Sequence, residues 1–388
     1  MIPAIFEKVK VDRKSCVPRH YQVKQIIKEA ISSGVFKKGD LLPPERKLCE
    51  LLQVSRITIR RALSDLEHEN IIERTWGKGN VVLNVPEIEN KIKKIAITIW
   101  AKETPYHPAT IEILKGFAEG LKNTIYSPEI IFIDDKQISS GAYLQQLNPQ
   151  VVECAVVSVQ ELPEEQIQAI AKKIPKTIFC NVKNVESHIL IDFAGASFEI
   201  TSYLIELGHK DIALLNGPAE FQIPQMVLNG YIQAHDQACL GFSKDLIKNS
   251  YYSSEDGYNL TKQLFQQDII PTAIIAGDDF MALGVLKAIK EKGLRCPEDI
   301  SVISFNNFPF CEFTDPPLTS YHIDFFNFGK VMAQQALNLI YERETNQVVL
   351  RGRLVIRKSA GKVNGDNRPD LKGQEPGSDD IEKKRKRR

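Results

Sequence analysis

Hydrophobic positions follow two regimes along this chain. Up to about residue 70 they recur at helical spacing. From about 94 to 360 they come as short, nearly continuous apolar runs separated by amphipathic stretches. In the first regime "YQVKQIIKEAISS" sets Val23, Ile26, Ile27, Ala30 and Ile31 on one stripe, the pattern of a half-buried helix. Gly34 closes that helix, and "KKGDLLPPER" supplies turn chemistry and a proline near the start of a second, short helix, "ERKLCELL". Gln53 and Val54 make a tight connection. Ser55 is placed to cap a third helix, on which Ile59, Ala62, Leu63 and Leu66 form the buried face. Two β-rich runs, "IIERT" and "NVVLN", then flank "WGKG", a glycine-bearing hairpin tip. Three helices and a hairpin predict a winged helix-turn-helix over residues 16–86.

The second regime reads as strands alternating with helices. "KKIAITIWA" precedes the helical "TIEILKGFAEGL", and "EIIFIDD" precedes the helical "GAYLQQL". "VECAVVSV", "KTIFCNV" and "HILID" continue the series. After a helix at about 195–207 come "DIALLNG", "DLIKNSYY", "TAIIAG" and "ISVISFNN". Apolar strands spaced by helices indicate parallel sheets covered on both faces. Such a length exceeds one comfortable sheet, so residues 94–360 are expected to form two doubly wound α/β lobes with a ligand cleft between them. Residues 87–93 are expected to be a short polar linker, and 361–388, rich in Gly, Pro, Asp and Lys, a disordered basic tail.

Charge sharpens the head. On the third helix Arg56, Ile57, Arg60 and Arg61 project opposite the buried face, with Thr58 at its edge. A solvated face usually mixes acids among its bases, as "SDLEHE" does one turn later. The arginines instead cluster at the end by which a recognition helix approaches base edges. Residues 1–86 carry 16 Lys and Arg against 10 Asp and Glu, whereas 87–360 carry 25 against 33. A basic head on an acidic body points to an anionic partner for the head alone. The seven cysteines are scattered without metal or redox spacing, as in a reducing compartment. The N-terminus has no apolar stretch of signal-peptide length, and no run is long enough to span a bilayer. A cytoplasmic protein without membrane partners is expected. No Walker loop, nucleophile elbow or zinc-protease pattern occurs, so neither an enzyme nor a cofactor is expected. His209 has no ligand spacing and reads as a structural residue at a turn.

The string from "VPRHYQVKQIIKEAISSGVFKKGDLLPPERKL" through "VSRITIRRALSDLEHENIIERTWGKGNVV" resembles the winged-helix head of the GntR regulators. That resemblance implies Arg46 on the DNA backbone, Ser55, Arg56, Thr58 and Arg60 in the major groove, and Gly77, Lys78 and Gly79 at the wing. Pro44 stands where serine is commoner. Asn70 replaces a glycine after the third helix, a change that asparagine tolerates in the left-handed conformation. Ile57, an exposed β-branched residue among arginines, has no packing purpose and is a candidate for contact with a thymine methyl.

The body resembles the sensor domain of the LacI/GalR repressors, itself similar to type I periplasmic sugar-binding proteins. The resemblance rests on "YLIELGHKDIALLNG", "TAIIAGDDFMALGVLKAIKEKGLRCPEDISVISFNNFP", "PPLTSYHID" and "GRLVIRKS". A GntR head on a LacI-type body resembles the arrangement of the arabinose-responsive repressors, here without a hinge helix. It implies a homodimer on a palindromic operator in double-stranded DNA, acting as a repressor under a sugar or related metabolite. The pattern departs at the effector site. Val227 stands where the family has an arginine, Asn306 where it has an aspartate, and Asp278 where it has an asparagine. The remaining effector candidates are Trp100, Tyr106, Asp192, Asp278, Asn306 and Phe310. Asp192 and Asp279 are alternatively helix caps, the role favoured for Asp279. Two other readings stay open: a regulator that has lost its small-molecule response, and an intracellular sugar-binding protein.

Overall fold

The computed structural model describes residues 11–13, 17–75, 77–85, 93–100, 107–159, 162–182, 185, 188–267 and 270–363. The expectations placed on Cys16, Tyr106, most of the 87–93 linker and the tail from 364 onward lie outside the described residues. Lys93, expected to end the linker, already begins a strand.

The head is built from α1 (Arg19–Ser32), α2 (Glu45–Leu52), α3 (Arg56–His68), β1 (Ile72–Thr75) and β2 (Gly79–Val82). Its core gathers the stripe residues Val23, Ile26, Ile27, Ala30 and Ile31 of α1 with Leu48, Leu52, Ile59, Ala62, Leu63 and Leu66. α3 ends beside Asn70, whose φ of 55° is the left-handed conformation that the substitution for glycine requires. The chain then enters the antiparallel β1–β2 hairpin, in register from Ile72 opposite Val82 to Thr75 opposite Gly79.

The body holds two larger sheets. In the first, β3 (Lys93–Trp100), β4 (Tyr126–Ile133), β5 (Val152–Val157) and β6 (Thr177–Phe179) run parallel in the order β4-β3-β5-β6. Its helices are α4 (Pro108–Leu121), α5 (Asp135–Ser140) and α6 (Glu164–Lys173). The second sheet contains β8 (Ile212–Asn216), β9 (Ile247–Asn249), β10 (Ala273–Ala276), β11 (Ser301–Asn306), β12 (Thr319–His322) and β14 (Arg353–Val355). Its order is β14-β12-β11-β10-β8-β9, parallel except for the edge strand β14. Its helices are α7 (Phe193–Glu206), α8 (Gln222–Gln237), α9 (Ser254–Leu264) and α10 (Asp279–Glu291). α11 (Phe325–Ile340) leaves the second lobe to pack along α4 of the first.

Two expectations change in detail. "HILID" forms β7 (Ile189–Ile191), which joins neither large sheet but pairs in parallel with β13 (Val348–Leu350) where the chain passes between lobes. The helix expected over "GAYLQQL" is a 3-10 turn, Ala142–Gln146, because Gly141 at φ 65° ends α5 just before it. The strand orders place a topological switch between β3 and β5 in one lobe and between β8 and β10 in the other. Ligands of such sheets bind at the carboxyl ends of the strands beside the switch. Trp100 ends β3, and Asp278 follows β10 closely.

Candidate functional site

The basic face of α3 is assembled by a cap and a carboxylate. Ser55 is the N-cap, its Oγ accepting from the Thr58 amide at 3.3 Å, and the two hydroxyls lie 2.9 Å apart. That cap starts the helix so that Ile59, Ala62, Leu63 and Leu66 are buried while Arg56, Ile57, Arg60 and Arg61 face out. Ile57 is 80% exposed, against complete burial for its neighbour-but-one Ile59. Arg46 is also solvent-facing, with Nε 3.6 Å from Glu50.

Glu45, the first residue of α2, organises this face. Its Oε2 accepts from Nε of Arg56 at 2.9 Å and from Nε of Arg60 at 3.1 Å, and Arg74 of β1 reaches Oε1 at 3.6 Å. Burial pushes the carboxyl upward, but hydrogen bonds and charge from Arg56 and Arg60 outweigh that and hold it below its ordinary value. Both α3 arginines use Nε for this contact, which leaves the forked Nη pair uncommitted by it. Neither Glu45 nor Arg74 was expected from periodicity. The adjacent "ER" of "PPER" was the available signal, and only the tertiary fold brings Arg74 beside it. At the wing, Gly77 and Gly79 take φ of 75° and 106°, so the Lys78 backbone turns back and its amide donates to Thr75 O at 3.1 Å. Lys78 stays exposed.

The head rests on the first lobe. Val17 packs into the body core, and the Tyr21 ring lies 4.6 Å from that of Tyr341, just past the end of α11. Tyr126 of β4 completes this aromatic group at 6.4 Å from Tyr341.

The effector candidates separate into three places. Asp278, Asn306 and Phe310 come together. Asp278 is buried and is the N-cap of α10: it accepts from the Phe280 amide at 2.6 Å and from Asn306 Nδ2 at 2.6 Å. Asn306 and Asn307 both have left-handed backbones, at φ 95° and 56°, a strained pair at the end of β11. From the opposite lobe His107, the residue before α4, brings Nε2 to 3.5 Å from Asp278 Oδ2. Rings surround the pair: Phe280 and Phe308 lie 5.8 and 5.2 Å from His107, and Phe310 lies 5.0 Å from Phe280. His107 was not foreseen, because a lone histidine ahead of a proline carries no spacing signal.

Trp100 stands apart from that group, tilted against Phe221 of the second lobe at 5.6 Å. Asp192 belongs to a third neighbourhood. It caps α7 by accepting from Gly195 at 2.8 Å, and pairs with Arg351 at 3.2 Å. The cap expected of Asp279 falls to Asp278 instead. Asp279 is fully buried and accepts from the hydroxyls of Ser304 and Ser320 and from the Phe308 amide. Desolvation raises its pKa to about 6, against the opposing pull of those three donors. Val227 is buried in the body core and offers no polar group. His209 is structural: its ring nitrogens lie 3.0 Å from Thr272 Oγ1 and 3.0 Å from Gly361 O.

Residues 20–82 match the model of the bacterial regulatory proteins of the gntR family, and residues 201–360 that of the periplasmic binding protein-like domain. The HTH-type transcriptional repressor PurR of Histophilus somni is 31% identical over 287 residues, covering 70% of this chain and 82% of that protein. Its namesake in Salmonella newport is 29% identical over 70% of this chain and 80% of its own length. Among solved structures, a LacI regulator from Bacillus cereus subsp. cytotoxis superposes with a TM-score of 0.64 at 23% identity, over 70% of this chain and 99% of that one. The lac repressor dimer bound to operator and the anti-inducer ONPF gives 0.62 at 23% identity, over 69% and 94%. The regulator CelR in complex with cellobiose gives 0.63 at 20% identity, over 79% and 92%. Among the described residues no helix is long and apolar enough to cross a membrane, and no cluster of His, Cys, Asp or Glu could hold a metal ion.

Proposed function

The chain belongs to the family of LacI-type transcriptional repressors that includes PurR, with a gntR-type head in place of their DNA-binding end, and we propose that it represses by reading a palindromic operator through α3. The protein is a DNA-binding transcriptional regulator under effector control. The observation that carries the residue-level reading is the face of α3. Arg56 and Arg60 are held side by side on one carboxylate with Ile57 exposed beside them, and Lys78 extends from a glycine-turned wing. Fixed guanidinium forks suit the paired acceptors of guanine, and an exposed isoleucine suits the thymine methyl. Arg46 and Lys78 supply phosphate contacts that position the head without reading sequence. Two heads in a dimer then place two such helices on adjacent half-sites.

The effector is held between the lobes, where Asp278, Asn306, Phe310 and Trp100 stand near the carboxyl ends of strands. Its preferential binding to one lobe arrangement changes operator affinity by the coupling free energy between the two sites.

A selection from randomised DNA with the full chain tests the proposal. Enrichment of an inverted repeat is expected, and a pool that stays random would overturn it. Repeating the selection with Ile57→Ala should relax preference at one A·T position of each half-site while leaving the others intact. An unchanged logo would remove the thymine-methyl contact.

A further inference from the structure

The lobe contact centred on Asp278 points to the chemistry of the effector, an inference that rests on the reading of the cleft as an effector site. A carboxylate buried at an interface between lobes is costly unless a positive or hydrogen-donating group meets it. Here two of its partners, the Phe280 amide and Asn306, come from its own lobe. The group among the described residues that crosses from the other lobe is the His107 imidazole. Among the described residues no lysine or arginine forms an ion pair with Asp278. The position where the arginine fork of related sensors would stand holds Val227, buried in the core. The cleft has therefore lost a cation while keeping a carboxylate, now on Asp278 with Asn306 beside it.

The surrounding surface fits the same charge. Phe280 and Phe310 are half-buried, and with Phe308 and His107 they wall the carboxylate in rings. Aromatic faces attract cations through their quadrupoles, most strongly where water is excluded. A carboxylate within an aromatic wall is the reverse of a sugar-phosphate or carboxylate site. We propose that the effector is a small organic cation, such as an amino sugar or another amine-bearing metabolite, whose protonated nitrogen displaces the His107 imidazole from Asp278. His107 occupies the place of that nitrogen and links the two lobes through Asp278.

The test uses the full chain and chemical rescue. His107→Ala vacates the position against Asp278. Added imidazole or methylguanidinium should then raise its melting temperature by mass action. The rise should be smaller for the wild type, where His107 competes for the place, and absent for His107→Ala combined with Asp278→Asn. Asparagine is as good an N-cap as aspartate, so the second substitution keeps α10 started. Rescue that persists in the double variant, or no rescue at all, would overturn the proposal. If His107→Ala does not fold, calorimetry on the wild type replaces it, with choline against its neutral isostere 3,3-dimethylbutanol and D-glucosamine against D-glucose. At least one amine should bind ten-fold tighter than its neutral partner, and Asp278→Asn should abolish the difference. Equal binding of the neutral partner, an unchanged preference in Asp278→Asn, or binding by neither amine would overturn it. Operator release separates this inference from the effector reading. A neutral sugar that releases operator from wild type and Asp278→Asn alike keeps the effector and removes the cation. Imidazole rescue with no metabolite able to alter operator binding does the opposite.

Discussion

Glu45 is an acid among the arginines of the face proposed to approach DNA, and that placement has a measurable cost and a measurable return. Its charge opposes phosphate, while its hydrogen bonds hold Arg56 and Arg60 in one arrangement. Glu45→Gln removes the charge and loosens both arginines. Binding to random-sequence DNA should tighten, because one anion fewer faces the backbone, while binding to the selected operator should weaken. The ratio of the two, from titrations at matched salt, is expected to fall at least ten-fold, and an unchanged ratio would mean the arginines need no such support. Asp279 gives a second residue-scale prediction. Its pKa is raised to about 6 in the folded protein from about 4 in an unfolded chain, so the native state holds the proton more tightly. Its contribution to stability is full below about pH 4 and is lost as pH rises through about 6. Glu45 and Glu69, whose pKa values are depressed, slope the other way at lower pH. Urea unfolding of wild type and Asp279→Asn cancels those common terms. The stability difference between the two should shift against the wild type between pH 4 and 6.5 and level off above that.

At the level of elements, the helix pairs close on glycine. A Cβ built on Gly116 of α4 would lie 1.9 Å from the Phe326 carbonyl of α11, and one on Gly329 of α11 would lie 2.0 Å from the Ile113 carbonyl. The same device recurs between α7 and α8 at Gly230 and between α9 and α10 at Gly257 and Gly284. Gly116→Ala should raise helix propensity in isolation yet destabilise the protein by about 1–3 kcal/mol, the usual cost of overpacking, as read by chemical denaturation. A stabilised variant would show that α4 and α11 are free to separate. These glycines also mark the boundary of what was legible in the sequence. The 3.6-residue stripe of α1, the Ser55 cap, the exposure of Ile57 and the α/β alternation are all local patterns, and local patterns survive in a linear string. A glycine inside "LKGFAEGL" reads there as a mild helix weakness, because its purpose lies on another helix two hundred residues away. Glu45 with Arg74, His107 with Asp278, and the departure of β7 to pair with β13 are hidden for the same reason. The exchange of cap between Asp278 and Asp279 differs: the two are neighbours of one type, and only backbone geometry decides which faces the helix end.

Across the whole molecule, one helix spans the distance between the sites. α11 begins at Phe325, stacked 6.5 Å from Phe308 beside the His107–Asp278 contact. It ends next to Tyr341, on which the Tyr21 ring of the head rests. At 1.5 Å per residue its 16 residues make a rod of about 24 Å. The His107–Asp278 contact at one end and the head at the other thus meet the same element.

The contact of Trp100 with Phe221 turns the cleft into an optical instrument. The chain has two tryptophans, and the other, Trp76, precedes Gly77 in the wing sequence. Trp76→Phe therefore leaves one emitter, half-buried and touching a ring of the opposite lobe. Any compound that parts the lobes exposes that indole to water and should move its emission to longer wavelength, with no label and no DNA present. Titrating metabolites against the single-tryptophan variant would record lobe movement and operator release as two separate curves. Coincident midpoints are expected if one event drives the other. An operator-releasing compound that leaves the emission unmoved would show that the signal bypasses the Trp100 contact.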